Sequence, residues 1–478
     1  MRSSKLLGSV VLGGTALVVT EAGAGGFQIT ELSARAQGFR TAGAAAVAED
    51  PSTVWFNPAG LTRLGGQQID ATGHAFYGSF KFRDRGTLTP VGPAGGAPVP
   101  VEGKTASDAG EFAFIPNLYY SYRLNEQTTL GVGFNSPYGL VTDYDDDWVG
   151  RYHALRSELL TININPGIGY RLNEQWSLGA GINIAYVDAE LSNAVDVGTI
   201  ATVLFPPGVA AAFGLSPGTL ESDGFTKLTG DDWGYGYNLG LLYELSGVTR
   251  FGISYRSKIE TTVEGTLQTS LPDRLVESPL GAGLGIESQS RIGGKADLTL
   301  PATFVLGAYH RLNDRWSLLA GATWTEWSDF DELRIELEDG REIVQPENWD
   351  DVWRYSLGVE LRHSDRWTFR GGYEYDESPV GGIANNTARI PDADRQFLAL
   401  GGSYTPSKQL SIDFAYTRIF TDDYRIAETE VITSQAGALI GDALPPAALA
   451  PLEGVGTTLE GEYSASADIF TVGLRYRF

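Results

Sequence analysis

The sequence predicts an all-β protein: a closed transmembrane antiparallel β-barrel of about fourteen strands, its lumen plugged by a small, mostly helical N-terminal hatch. Three observations predict it. Apolar residues recur at every second position, short polar turns repeat between the alternating segments, and one stretch after the N-terminal leader lacks the alternation altogether. Composition agrees, since 60 glycines, 22 tyrosines and 21 phenylalanines among 478 residues suit strands and tight turns. Cysteine is absent, which excludes disulfides, Cys-ligated zinc and thiol nucleophiles. A formal net charge of −24 excludes nucleic-acid binding, because such a chain is repelled by phosphates.

The first element, residues 1–24, reads as a secretory signal peptide. Arg2 and Lys5 precede an apolar run from Leu6 to Val19, and Ala22 and Ala24 form an A-x-A cleavage site. The run is shorter than the ~20 residues a membrane-spanning helix needs. Residues 25–66 are the hatch. SARAQGFRTAGAAAVAED reads as short Ala-rich helices and DPSTVWFNPAG as proline turns. The aromatics Phe27, Phe39, Trp55 and Phe56 argue against a solvated tail and for a plug folded into the lumen.

Residues 67–478 are the barrel. YRLNEQTTLGVGF, YRLNEQWSLGAGI and HRLNDRWSLLAGA are each strand, polar turn and strand, and RHSDRWTFRGGY and YTPSKQLSIDFAY repeat the scheme. Asn, Asp, Ser and Pro supply the turns, and tryptophan beside a turn fits a membrane interface. In TININPGIGY, Ile162, Ile164, Ile168 and Tyr170 share one face, with Asn163, Asn165, Gly167 and Gly169 on the other. WSLGAGINIAY repeats the pattern with Trp176, Leu178, Ile182, Ile184 and Tyr186. One face suits lipid and the other a polar lumen. Opposite the short turns, 83–111, 145–151, 196–224, 267–289, 338–347, 380–393 and 429–458 read as long, extracellular connections. The last strand alternates to a terminal aromatic, Phe478, which resembles the recognition signal of the outer-membrane assembly machinery.

GVGFNSPYGLVTDY breaks the rule. A strand leading through Phe134 meets Pro137 and Gly139 where it should continue, and a closed barrel has no edge at which to hide such breakers.

GGFQITELSARAQG with AEDPSTVWFNPAGL, NSPYGLVTDY followed by WVGRY, LPATFVLGAYHRLNDRWSLLAGATWTEWSDFDELR, WRYSLGVELRHSDRWTFRGGYEYDESPV and IPDADRQFLALGGSY resemble the FadL/TodX family of outer-membrane transporters for long-chain fatty acids and other hydrophobic compounds. The likeness runs from Gly25 to Phe478. Asn57, Pro58 and Ala59 match the family's NPA motif in the hatch. Ser136, Tyr138, Gly139 and Leu140 match its inward kink in the third strand, and Pro137 is this chain's own addition. The resemblance implies a lateral opening at Pro137, Gly139 and Leu140. It also implies a ligand pocket bordered by Phe27, Trp55, Phe56, Ser136 and Tyr138. Fatty-acid-handling relatives place a base after the fifth strand's Y-x-x-A. Here Tyr186-Val187-Asp188-Ala189 runs on to Glu190 and Asn193, so either another base such as Arg151 or Arg156 substitutes or the ligand is a neutral hydrocarbon or aromatic compound.

Two long connections, 198–218 and 436–454, are apolar, and Leu204, Phe205, Phe213 and Leu215 are the candidate extracellular capture residues. The same residues also suit a lid packed on itself. His74, His153, His310 and His363 show no metal or nucleophile spacing, no G-x-S-x-G elbow is present, and no calcium-loop motif accompanies the acidic runs 143–148 and 336–342. The expectation is a monomeric, non-enzymatic, cofactor-free outer-membrane protein of a Gram-negative cell. Its partners are a hydrophobic ligand, outer-membrane lipid and, through Phe478, the assembly machinery. A general solute porin is the alternative.

Overall fold

The computed structural model describes residues 26–432, 436 and 446–478; the leader read at 1–24 and residues 437–445 of the apolar connection 436–454 lie outside them. Counting each crossing once, fourteen strands form the wall. They begin β1 (Gln67–Asp84), β2 (Phe112–Arg123), β3 (Thr128–Asn135, resuming at Gly139–Asp143), β4 (Arg156–Arg171), β5 (Trp176–Asp196), β6 (Asp223–Glu244) and β7 (Thr249–Arg256 with Ile259–Ser270). They continue β8 (Gln289–Leu300 with Thr303–Arg311), β9 (Trp316–Thr325 with Glu332–Leu337), β10 (Glu342–Pro346 with Val352–Arg362) and β11 (Trp367–Asp376). β12 (Arg395–Tyr404), β13 (Leu410–Thr421 with Tyr424–Val431) and β14 (Gly456–Arg477) complete the circuit. Neighbours pair antiparallel, and β14 returns to β1 from Gln68↔Arg477 to Asp84↔Gly461, so closure removes the sheet edge. No helix among the described residues is long and apolar enough to cross a membrane.

The period-2 pattern sets which side chains meet lipid. Ile162, Ile168 and Tyr170 of β4 are exposed while Asn163 and Asn165 are buried, and β14 does the same with Phe470, Val472, Leu474 and Tyr476 outside and Thr471 and Arg475 inside. The repeated turns close by one device. Asn125, Asn173 and Asn313 each accept, through Oδ1, the N–H groups two and three residues on at 2.9–3.0 Å. Trp176, Trp316 and Trp367 emerge beside these turns as exposed rings, the position an amphipathic indole takes at headgroup level.

Residues preceding β1 lie inside this wall as α1 (Ala34–Gly38), α2 (Ala44–Val47), α3 (Thr53–Phe56) and a 3₁₀ turn, Pro58–Arg63. Lumen-facing glycines let the two backbones approach: a Cβ on Gly240 would overlap Asn57 Oδ1, and one on Gly252 would overlap Ala45 O. Ion pairs fasten the hatch as well. Arg40 reaches Glu31 at 2.6 Å and Glu374 of β11 at 3.0 Å, and Arg35 reaches Glu360 of β10 at 3.0 Å. All five groups are buried, so removing one partner strands a charge.

Candidate functional site: a gap in the wall and the aromatic cage behind it

One seam of the barrel is incomplete. β2 pairs with β3 only from Arg123↔Thr129 to Leu118↔Phe134. Above Phe134 the third strand leaves the wall, and when it resumes at Gly139 it pairs with β4 alone, from Gly139↔Leu160 to Asp143↔Arg156. β2 keeps its ladder to β1 throughout, so Phe112–Asn117 lose their partners on one side only. The seam closes again where Asp143 N–H donates to Ala109 O at 3.3 Å. The result is a recess of about 570 Å³ bordered by Gly73, Phe114, Ile115, Phe134, Leu160 and Ile162. Its walls are almost wholly apolar.

The kinked backbone does not go unpaired. Pro137 O accepts from Ile29 N–H and Gly139 N–H donates to Phe27 O, both at 2.9 Å, so the hatch replaces β2 as the ladder partner. Tyr138 N–H donates to Thr161 Oγ1 at 3.1 Å, and the Thr161 hydroxyl donates to Tyr138 O at 2.6 Å. Facing these groups to lipid would cost several kcal/mol each, roughly, which is why the segment turns inward. Ser136 lines the recess, whereas Pro137, Tyr138, Gly139 and Leu140 form the buried partition behind it.

Behind the partition lies an aromatic cage. Phe27 sits edge-on to Trp327 at 4.8 Å, Phe330 at 5.6 Å and Tyr138 at 6.2 Å between ring centroids, with Trp349 also in contact. Leu140 packs into the same cluster. Gly26 N–H and the Ser378 hydroxyl donate to Asp392 Oδ2 at 3.4 and 2.9 Å, tying the start of the hatch to the β11–β12 connection. Burial pushes the Asp392 carboxyl up to about 7, although Arg395 opposes the shift.

Trp55 and Phe56 border a second, small cavity of about 60 Å³ deeper in the lumen, with Gln28, Thr41, Arg256 and Arg354. Arg354 reaches Glu374 at 3.7 Å. Arg256 has no carboxylate partner among the described residues. Its guanidinium stacks 3.3 Å from the Trp55 ring centroid and donates to Trp55 O at 2.7 Å and to Asn183 Oδ1. Neither base expected from the sequence is available there. Arg151 is held by Asp223 at 2.5 Å in the cap formed by the long connections, and Arg156 by Asp143 and Glu158 at 2.6 and 2.7 Å.

Asn57 is fully buried and staples the hatch to itself and to the wall. Its Nδ2 donates to Ala45 O at 2.7 Å and to Leu241 O of β6 at 3.0 Å, while Oδ1 accepts Ala59 N–H at 3.1 Å. Pro58 opens the following 3₁₀ turn, where its missing N–H costs nothing. The apolar connection 198–218 folds differently from an open capture surface. Leu215 is buried in a cluster with Ile200, Leu271 and Leu452, while Leu204 and Phe205 pack half-buried against it and Phe213 is half-buried nearby. Burying these side chains against neighbouring connections satisfies them without a ligand.

Sequence reasoning missed Trp327, Phe330, Trp349 and Arg256. A trace was present: in WTEWSDFDELR, Trp327 and Phe330 stand three apart, which breaks strand alternation where β9 is interrupted.

The sequence matches the family described as outer membrane protein transport protein (OMPP1/FadL/TodX) over residues 15–478. A 47 kDa outer membrane protein of Pasteurella multocida is 33% identical over 439 residues, 91% of this chain and 97% of that protein. A long-chain fatty acid transport protein of Escherichia coli O6:H1 is 30% identical over 421 residues, 87% and 91% of the two chains. The crystal structure of a Pseudomonas aeruginosa FadL homologue superposes with a TM-score of 0.80 at 23% identity, covering 95% of this chain and all of that one (100%). The Pseudomonas putida toluene transporter TodX superposes at 0.61 with 18% identity, over 90% and 94% of the chains.

Proposed function

The chain belongs to the OMPP1/FadL/TodX family of outer-membrane transport proteins, and on that premise we propose that it passes long-chain fatty acids or neutral hydrocarbons passively through its wall into the outer membrane. The supporting observation is the partition. A single segment, 137–140, separates an aromatic cage in the lumen from an apolar recess on the lipid side, and its hydrogen-bond partner is the hatch.

Phe27 fills the cage as a ligand would, and its carbonyl holds Gly139. A hydrophobic molecule entering the cage displaces the ring and thereby releases the Gly139 N–H from the hatch. Occupancy of the pocket and opening of the partition are thus one event. Sideways exit keeps the ligand out of water, saving about 0.8 kcal/mol for each methylene that would otherwise be re-exposed. A porin needs a continuous aqueous path, and the buried ion pairs between hatch and wall, Arg35–Glu360 and Arg40–Glu374, occupy the lumen instead. For an acidic ligand, Arg256 supplies the unpaired cation near the cage, in place of the base the fifth strand lacks. Apolar side chains of the cap admit ligand after the packed connections part. The protein works as a monomer, and Phe478 serves the assembly machinery.

Gly139→Arg tests the reading. Uptake is expected to stop while the folded, heat-modifiable barrel and ligand binding persist. Normal uptake by folded Gly139→Arg protein would move the exit to the hatch and the periplasm.

A further inference from the structure

The cap carries an ion-binding geometry that transport does not use. His153, in the connection from β3 to β4, is buried, and neither ring nitrogen has a hydrogen-bond partner. Its Nδ1 stands 3.4 Å from Glu428 Oε2, and one ligand atom each of His153, Glu428 and Glu430 lies within 4.8 Å of the others. Both glutamates sit on the outer extension of β13. Ala388 N–H donates to Glu428 Oε2 at 2.9 Å, fixing that carboxylate as an outer-shell donor fixes a ligand. Glu428, Glu430 and the buried Glu347 all face the guanidinium of Arg389, which leaves negative charge in excess.

A histidine in an ordinary ion pair would direct a ring N–H along the line to its carboxylate, and this one does not. Two ligands bound at about 2.1 Å with a tetrahedral angle between them stand about 3.4 Å apart, the separation found here. We propose that His153, Glu428 and Glu430 bind a divalent transition-metal cation of the zinc type, pinning the β3–β4 connection to β13 across the mouth of the barrel. The imidazole nitrogen selects against calcium and magnesium, which prefer oxygen ligands throughout. The sequence showed no such motif because the histidine and the glutamates are more than 270 residues apart in the chain and meet only in the folded barrel.

The test uses tag-free, full-length protein in detergent, stripped with chelator and then titrated with Zn²⁺ alone or with Ca²⁺ alone. One zinc per chain is expected by elemental analysis after gel filtration, together with a rise in the thermal midpoint. His153→Asn, Glu428→Gln and Glu430→Gln should each weaken zinc binding at least tenfold and abolish that rise. Glu430 is only half-buried, so its variant keeps the test decisive if the others fold poorly. Absence of zinc binding by the parent protein, equal affinity in folded Glu430→Gln, or tighter binding of calcium than of zinc would each overturn the assignment.

Discussion

Two seams of one barrel behave differently. Where β14 meets β1 the ladder runs unbroken from Gln68↔Arg477 to Asp84↔Gly461, and where β2 meets β3 it stops at Leu118↔Phe134. Both are antiparallel pairs of neighbouring strands with lipid on one side. The closed seam satisfies its backbone with itself. The open one leans on the hatch outside the sheet, at Phe27 and Ile29, and on the hydroxyl of Thr161 in β4. A barrel therefore tolerates a gap when a second body inside it takes over the hydrogen bonds. In the proposed function, that dependence couples a ligand in the lumen to the wall.

The comparison breaks most completely if the open seam is made like the closed one. Pro137→Val combined with Gly139→Val removes both breakers, lets β3 run straight against β2, and should cut uptake by at least about tenfold, equivalent to 1.4 kcal/mol. Hydrogen exchange should then slow at Phe112–Asn117, and unchanged exchange there would mean the kink does not depend on those residues. A narrower effect, confined to acidic ligands, is expected of Arg256→Met. Loss of a charge-assisted contact should weaken binding of a long-chain acid by about 1.5–3 kcal/mol and leave an alkane of equal length unaffected. Parallel loss for both ligands would make Arg256 a packing residue.

Asn57→Ala acts on the support of the open seam without touching the seam. It removes the side-chain donor to the Ala45 and Leu241 carbonyls and should weaken hatch docking by about 1–3 kcal/mol, read as faster protease cleavage of the hatch in an intact barrel. The smallest effect belongs to Pro137→Ala, which restores one N–H while the inward turn at Gly139 stays. Uptake should fall by about fivefold, the equivalent of about 1 kcal/mol.

The wall was legible because alternation and Asx turns are local signals, repeated at every hairpin. The kink was legible for the same reason, as Pro137 and Gly139 interrupt a pattern that is otherwise regular. The cage was not. Trp327, Phe330 and Trp349 look like interface aromatics in one dimension and converge on Phe27 only through closure of the barrel. Arg256 in TRFGISYR reads as an ordinary lumen-facing polar residue, and what distinguishes it, the lack of a carboxylate beside it, is a fact of packing. The capture residues were ambiguous for a related reason. Apolar character was visible at Leu215, but whether it meets a ligand or another loop depends on neighbours far away in sequence.

The ligand's path can be read directly by placing a photoreactive benzophenone amino acid either at Leu160, on the rim of the recess, or at Leu64, at the end of the hatch after its 3₁₀ turn, and illuminating cells taking up a radiolabelled long-chain fatty acid. Lateral passage through the open seam predicts labelled protein from the Leu160 position and none above background from Leu64. Label at Leu64 with none at Leu160 would contradict it, and would send the ligand down the axis of the barrel past the hatch.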